Sequence, residues 1–222
     1  MYKTLFKRLF DILFSFIAII LLLPVYMIIS IVVFCAMGSP VIFKQKRPGK
    51  NNELFTIYKF RTMRPEYSPD GTHLKNSERI TKVGAFLRRT YLDEIPEFFC
   101  VLIGKMSIIG PRPQLVEDMV FYTSEIAKRQ NVTPGITGLA QSKGKAALGW
   151  DEKFKWDIEY TENITLMSDV RIVFDTVKMI LSKKEPFDSS EDCGDYGDML
   201  LKQGRITNEE YEKAINYAKT LY

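Results

Sequence analysis

ILFSFIAIILLLPVYMIISIVVFCAM, residues 12–37, carries no formal charge from end to end. A run well above the ~18 apolar residues of a membrane helix candidate predicts insertion into a bilayer. Lys3, Lys7 and Arg8 precede the run, and Lys44, Lys46, Arg47 and Lys50 follow it. Lys and Arg concentrate on the cytoplasmic side of spanning helices, so two basic flanks predict that both ends lie on one side. Pro24, near the middle, removes a helical hydrogen bond and crowds the carbonyl four residues back, which favours a kink. Each half, at about 1.5 Å rise per residue, reaches about 18 Å, short of a hydrocarbon core about 30 Å thick. The expectation is a re-entrant helix hairpin broken at Pro24, entering and leaving by one leaflet; a kinked spanning helix is the alternative. No small-x-small cleavage site closes the run, so it is expected to stay attached.

Beyond this segment the chain is long enough, at 222 residues, to bury one ordinary core. The net charge of +4 is the sum of unlike segments. From Lys44 to Arg89 twelve Lys or Arg face four Asp or Glu, whereas Pro186 to Tyr222 holds eight acids and four bases. A basic body behind a membrane segment points to anionic partners, lipid headgroups or phosphorylated substrates, and the acidic tail reads as solvated. No nucleic-acid motif is present, so no nucleic-acid partner is expected. Cys35, Cys100 and Cys193 are odd in number and widely spaced, which fits a reducing compartment and offers neither a disulfide framework nor a CxxC metal pair. His73, in a turn-rich stretch, is the single histidine; clustered zinc sites are thereby excluded and histidine-based triads disfavoured.

The fold class expected is α+β and mostly helical. Val41–Gln45 and Leu54–Met63 read as a β-hairpin around a turn at residues 47–52, with Lys59 and Arg61 on one face of the second strand. Helices are predicted over Glu78–Arg89, Asp93–Gly104, Gln114–Lys128, Trp150–Tyr160 and Ser168–Ser182. In the last of these Ile172, Val173, Val177, Ile180 and Leu181 share a broad face, suited to the core or to a membrane surface as an amphipathic interfacial helix. Met199–Ala214 reads as part of a short helical hairpin, with Thr207 and Glu210 spaced as a capping box.

Asp93-Glu94, at a predicted helix start, is the first candidate for chemistry. Adjacent carboxylates there can supply a nucleophile and a divalent-cation ligand, and a carboxylate ionised at neutral pH needs no histidine to attack phosphorus. Acids at helix starts are also common caps. The surrounding cations favour the chemical reading: Arg88 and Arg89 precede the pair, Arg112 is held between Pro111 and Pro113, and Lys59 and Arg61 lie on the strand. Phosphoryl transfer is mostly positioning plus fixed positive charge, for which Arg is suited by its planar, bidentate donors.

RPGK (47–50), KFRTM (59–63), LRRTYLDEIPEFFCVLIGKMSIIGPRP (87–113) and TPGITGLAQ (133–141) together resemble the bacterial sugar transferases called small monotopic phosphoglycosyl transferases. The resemblance runs from about Tyr2 to Ser182 and is closest to small members made of the catalytic domain alone, such as the bacillosamine-type initiating transferase. It implies transfer of a sugar 1-phosphate from a UDP-sugar to polyprenyl (undecaprenyl) phosphate, with UMP released, as the first membrane step of bacterial glycoconjugate assembly. It also implies a ping-pong mechanism with a phosphosugar intermediate on Asp93, with Glu94 ligating Mg²⁺. Arg88 and Arg112 would bind phosphate, Lys59 would assist them, and Gln141 and Asp157 would be lesser members of the site. The resemblance places the catalytic body on the cytoplasmic face of the inner membrane. The family breaks its re-entrant helix at a Ser/Thr-Pro pair; here Leu23 precedes Pro24.

The expected division is a membrane segment over 1–40, a catalytic domain over 41–185, and an acidic linker with C-terminal helical hairpin over 186–222. That hairpin, outside the resemblance, is a candidate surface for a homodimer or a pathway enzyme. Two other readings stay open: a glycosyl transferase that displaces UDP directly, and a membrane-anchored adaptor without chemistry.

Overall fold

The computed structural model describes residues 2–65, 67, 71–144, 148–181 and 194–222, which form a mostly helical chain with two two-stranded sheets. After a π-helical turn at Tyr2–Phe6, helix α1 (Lys7–Met37) runs on through Pro24 as one element, without the break expected there. Leu21, Leu23, Met27, Ile28 and Ile31 are exposed along it, so it is not the core helix of a soluble protein. A narrow stripe meets the body: Ile29 and Val33 pack on Phe60 and Leu87.

Both ends of α1 are tied to that body by polar contacts. The Arg8 guanidinium donates to the carbonyls of Val101 and Leu102 (2.6 and 2.8 Å), Lys7 Nζ lies 2.8 Å from Asp169, and Asp11 Oδ1 accepts from Ile108 N at 2.9 Å. At the other end Arg61 donates to the carbonyls of Met37 and Gly38, the latter at 2.9 Å. A guanidinium there satisfies orphan carbonyls and complements the helix dipole.

Strands β1 (Ile42–Pro48) and β2 (Leu54–Phe60) form the expected antiparallel hairpin, with Ile42 opposite Phe60 and Pro48 opposite Leu54. Its turn is carried by Asn51 and Asn52 at φ 55° and 64°, a region that Asn tolerates. Because β2 ends at Phe60, Arg61 does not share the strand face with Lys59, and its charge is taken up at the end of α1. The predicted 78–89 helix divides into α2 (Asn76–Arg79) and α3 (Lys82–Thr90), since Ile80 leaves the helix to pair with Met63. Helix α4 is Glu97–Leu102, so Asp93-Glu94 is not at a helix start as predicted: Tyr91, at φ 57°, ends α3, and Pro96 opens α4.

Strand β3 (Ser107–Ile109) leads into the Gly-Pro-Arg-Pro loop. The predicted 114–128 helix is two short ones, α5 (Val116–Met119) and α6 (Ser124–Ala127). Strand β4 (Gly135–Thr137) pairs parallel with β3, Ser107 opposite Gly135 and Ile109 opposite Thr137. The two loops touch backbone to backbone, since a Cβ on Gly135 would lie 2.1 Å from Gly110 N. Gly135→Ala is therefore expected to cost about 1–3 kcal/mol of stability or more, as overpacking does. A melting temperature equal to wild type would mean that the loops separate freely.

Helices α7 (Leu139–Gly144), α8 (Trp150–Glu162) and α9 (Leu166–Leu181) complete the body. In α9 the expected apolar face divides. Ile172 is buried against Ile109 and Tyr160, while Val173, Phe174, Val177, Ile180 and Leu181 are exposed.

The C-terminal hairpin is present as α10 (Tyr196–Lys202) and α11 (Asn208–Thr220), with the Thr207–Glu210 capping box formed. It is not the solvated tail that its acidity suggested. Tyr196 and Leu200 join a buried cluster with Trp150 and Phe154, Tyr196 N donates to Asp118 at 2.8 Å, and Phe121 stacks on Tyr211. The linker's Pro186–Asp192 and Cys193 lie outside the described residues, as does Ser182.

Candidate active site

The turn at residues 91–96 holds the two carboxylates by backbone geometry. Leu92 N and Tyr91 N donate back into the end of α3, Glu94 N donates to Tyr91 O, and Glu97 N donates to Glu94 O. Phe60 N donates to Asp93 O at 2.9 Å, which fixes the turn against β2 one residue from Lys59.

Lys59 Nζ lies 2.6 Å from Glu94 Oε1 and 3.3 Å from Glu97 Oε1. Arg112 reaches the same Glu94 carboxylate from the opposite loop with both terminal nitrogens. Burial pushes Glu94 up, but Arg112 and Lys59 outweigh it and hold the carboxyl well below the usual range. Glu94 is thus the ionised centre of a cationic clamp. Asp93 makes no such pair. It is 8% exposed, and burial, then the charge of Glu94, pushes its carboxyl up, with Lys59, Arg112 and Arg88 opposing. Glu97, also buried, is raised first by burial, against Lys59.

A second buried pair positions Arg112. Arg129 Nη2 donates to the Arg112 carbonyl at 2.6 Å, while its Nε and Nη2 bind Asp157 Oδ2 at 2.9 and 2.6 Å. Among the described residues Asp157 Oδ1 has no partner, and neither does Gln141 Oε1, although Gln141 Nε2 donates to Ile136 O. Arg88 is oriented by Thr62 and Met63.

Lys59, Arg88, Asp93, Glu94, Arg112, Gln141 and Asp157 all line one cavity of about 630 Å³. That volume is within the usual range for small-molecule sites. Arg61 and Pro24 are not among its lining residues, nor is His73, which sits against Tyr67. Sequence reasoning missed Glu97, Arg129 and the lining residues Arg47, Trp150, Lys153 and Asp195. Glu97, one turn beyond Asp93 and next to Pro96, was detectable by spacing. Arg129 had no local signal, because its partner Asp157 is 28 positions away.

For a divalent cation the donor set is two carboxylates, Asp93 and Glu94, on a cavity wall rich in cations; no group of three or more His, Cys, Asp or Glu converges among the described residues. That fits Mg²⁺, which commonly takes one or two carboxylates and completes its shell with water and substrate phosphates. An ion at Glu94 would compete with Lys59 and Arg112.

The family model described as bacterial sugar transferase matches residues 2–183. The uncharacterized sugar transferase EpsL of Bacillus subtilis is 40% identical over 175 residues, covering 79% of this chain and 87% of EpsL. The UDP-glucose:undecaprenyl-phosphate glucose-1-phosphate transferase of Klebsiella pneumoniae is 40% identical over 182 residues, and the undecaprenyl-phosphate galactose phosphotransferase of Salmonella typhimurium 35% over 195. The chain spans only 39% and 40% of the length of those two relatives. Residues 184–222 lie beyond the family match.

Proposed function

The chain belongs to the bacterial sugar transferase family, and we propose that it moves a sugar 1-phosphate from a UDP-sugar to polyprenyl (undecaprenyl) phosphate, through a covalent intermediate on Asp93. The observation that carries this reading is a buried carboxylate without a paired cation, set in a cavity beside the Glu94–Lys59–Arg112 clamp. An Asp93 oxygen attacks the phosphorus that bears the sugar, the bond from that phosphorus to the oxygen of the UMP phosphate breaks, and UMP leaves with the bonding pair. A polyprenyl phosphate oxygen then attacks the same phosphorus, the Asp93–phosphorus bond breaks, and polyprenyl-diphosphate sugar is released with the carboxylate regenerated. Arg112, Lys59 and Arg88 bind phosphate oxygens and offset the charge that spreads over them. When bound at Glu94, Mg²⁺ would supply further neutralisation of the diphosphate.

The burial of Asp93 has a consequence for pH. Attack requires the ionised carboxylate, and its pKa is displaced upward, so the acid limb of kcat/KM is expected above the ordinary Asp value of about 3.9. Arg112→Gln, which removes a charge opposing that rise, should move the limb higher still. A limb at or below 4 in both proteins would contradict the assignment.

Features of α1 support the membrane placement. Its two ends are tied to one polar body, and an uncharged stretch lies between them, which supports a re-entrant course through one leaflet over a spanning one. The exposed apolar residues of α9, with Ile103, suit the interface of the same leaflet. A cytoplasmic face is where a nucleotide sugar and a lipid phosphate would both arrive.

The test is nucleotide release by the full chain in nanodiscs, with Mg²⁺, undecaprenyl phosphate and a panel of UDP-sugars. UMP as product supports the proposal, and UDP would mean direct glycosyl transfer. No release across the panel from folded protein would favour an anchor without chemistry.

A further inference from the structure

The cavity has a wall that the family match does not cover. Gly194 and Asp195, at the entry to α10, line it together with Trp150, Lys153 and Asp157 of α8. On α8 these three stand at helical spacings of three and four, which puts them on one stripe facing the same side. The C-terminal segment is held on that stripe by Trp150 Nε1, which donates to Gly194 O at 3.3 Å, by Tyr196 N on Asp118, and by Tyr196 in the Trp150–Phe154 cluster.

Two carboxylates stand at this end, Asp195 exposed and Asp157 buried. Asp195 occupies the N-cap position of α10, where an Asp side chain ordinarily accepts from the first amides, yet it makes no such bond. Asp157, 2% exposed, uses only Oδ2 for Arg129 and leaves Oδ1 unsatisfied. A buried acceptor without a donor is costly, so a ligand donor is expected there. Two carboxylates are also the wrong sign for a diphosphate, which belongs with Lys59, Arg88 and Arg112.

We propose that residues 194–195 and the Trp150–Asp157 stripe form the subsite for the hydroxyl-bearing, uncharged part of the donor, and that Asp195 is a specificity-determining residue supplied by the C-terminal extension. This rests on the phosphoglycosyl transfer reading. The hydroxyls could be those of the sugar or of the ribose, and both present the same donors to a carboxylate.

In a ping-pong reaction kcat/KM for the donor and for the acceptor report separate half-reactions, so the two are measured for wild type, Asp195→Ala and Asp195→Asn in nanodiscs. Asp195→Ala is expected to lower kcat/KM for the UDP-sugar on the order of 10- to 100-fold, the range of a lost hydrogen bond to a charged group. The acceptor value should stay within about twofold, and Asp195→Asn should recover part of the loss. Donor analogues lacking one hydroxyl locate the contact: the analogue that already lacks it shows no further loss in Asp195→Ala, and a sugar-deoxy or ribose-deoxy analogue identifies which ring is read. Donor kcat/KM unchanged in Asp195→Ala overturns the inference. So does an equal fall for donor and acceptor with a lowered melting temperature, which is a folding effect. Wild-type protein that releases no UMP from any donor would instead remove the parent reading and this one with it.

Discussion

Asp93→Asn is expected to lower kcat for UMP release on the order of 10⁴-fold or more, as loss of a covalent nucleophile does. The amide keeps the size and much of the hydrogen bonding of the carboxylate but cannot form the acyl phosphate. The fold should not suffer. The Asp93 carboxyl is pushed up first by burial and then by Glu94, so the folded state prefers its neutral form. A group held in that way destabilises the fold where it is ionised, and a neutral isostere should leave the melting temperature at pH 7 equal to wild type or higher. Wild-type protein incubated with UDP-sugar and no lipid acceptor should gain the mass of a sugar phosphate, and Asp93→Asn should not. Retained UMP release by a stable Asp93→Asn protein would end the covalent reading, and an unchanged adduct would place the nucleophile elsewhere.

Arg129→Met is expected to cost about 3–5 kcal/mol of stability, because it leaves the Asp157 carboxylate buried without its cation. For a chain of this size that is a fall in melting temperature of roughly 6–20 °C. Arg129 also donates to the Arg112 carbonyl, so the loop carrying the Arg112 guanidinium loses its tether. The double substitution Arg129→Met with Asp157→Leu separates these effects. Replacing both members of a buried pair with apolar groups is often neutral for stability, so the melting temperature should largely return. Activity should not, since the Arg112 carbonyl still lacks its donor and Asp157 has left the cavity wall. A single-variant loss under about 1 kcal/mol would show that the pair is not anchoring the fold.

Local sequence was sufficient where the interaction is local. The uncharged run at 12–37, the hairpin around Asn51-Asn52 and the capping box at Thr207–Glu210 are all read from contiguous residues, by charge, periodicity or spacing. Composition misled about the tail. Eight acids suggested solvation, whereas Tyr196 and Leu200 find their apolar partners in Trp150 and Phe154, more than forty positions earlier. Boundaries shifted where a long-range contact competed with helix propensity: Ile80 left a helix for Met63, and Phe60 N holds the backbone of Asp93 in a turn.

What the sequence by itself determined was the long apolar N-terminal segment, the mixed helical class and the chemical content of the cavity. Only the tertiary structure decided which cations meet at the cavity and which serve the fold. Lys59 and Arg112 converge on Glu94, Arg61 closes a helix end, and Arg129 is spent on Asp157 and a backbone carbonyl. The physical reason is that periodicity and capping record interactions within a few residues, while the partner of a buried charge is set by whichever elements the packing brings alongside it.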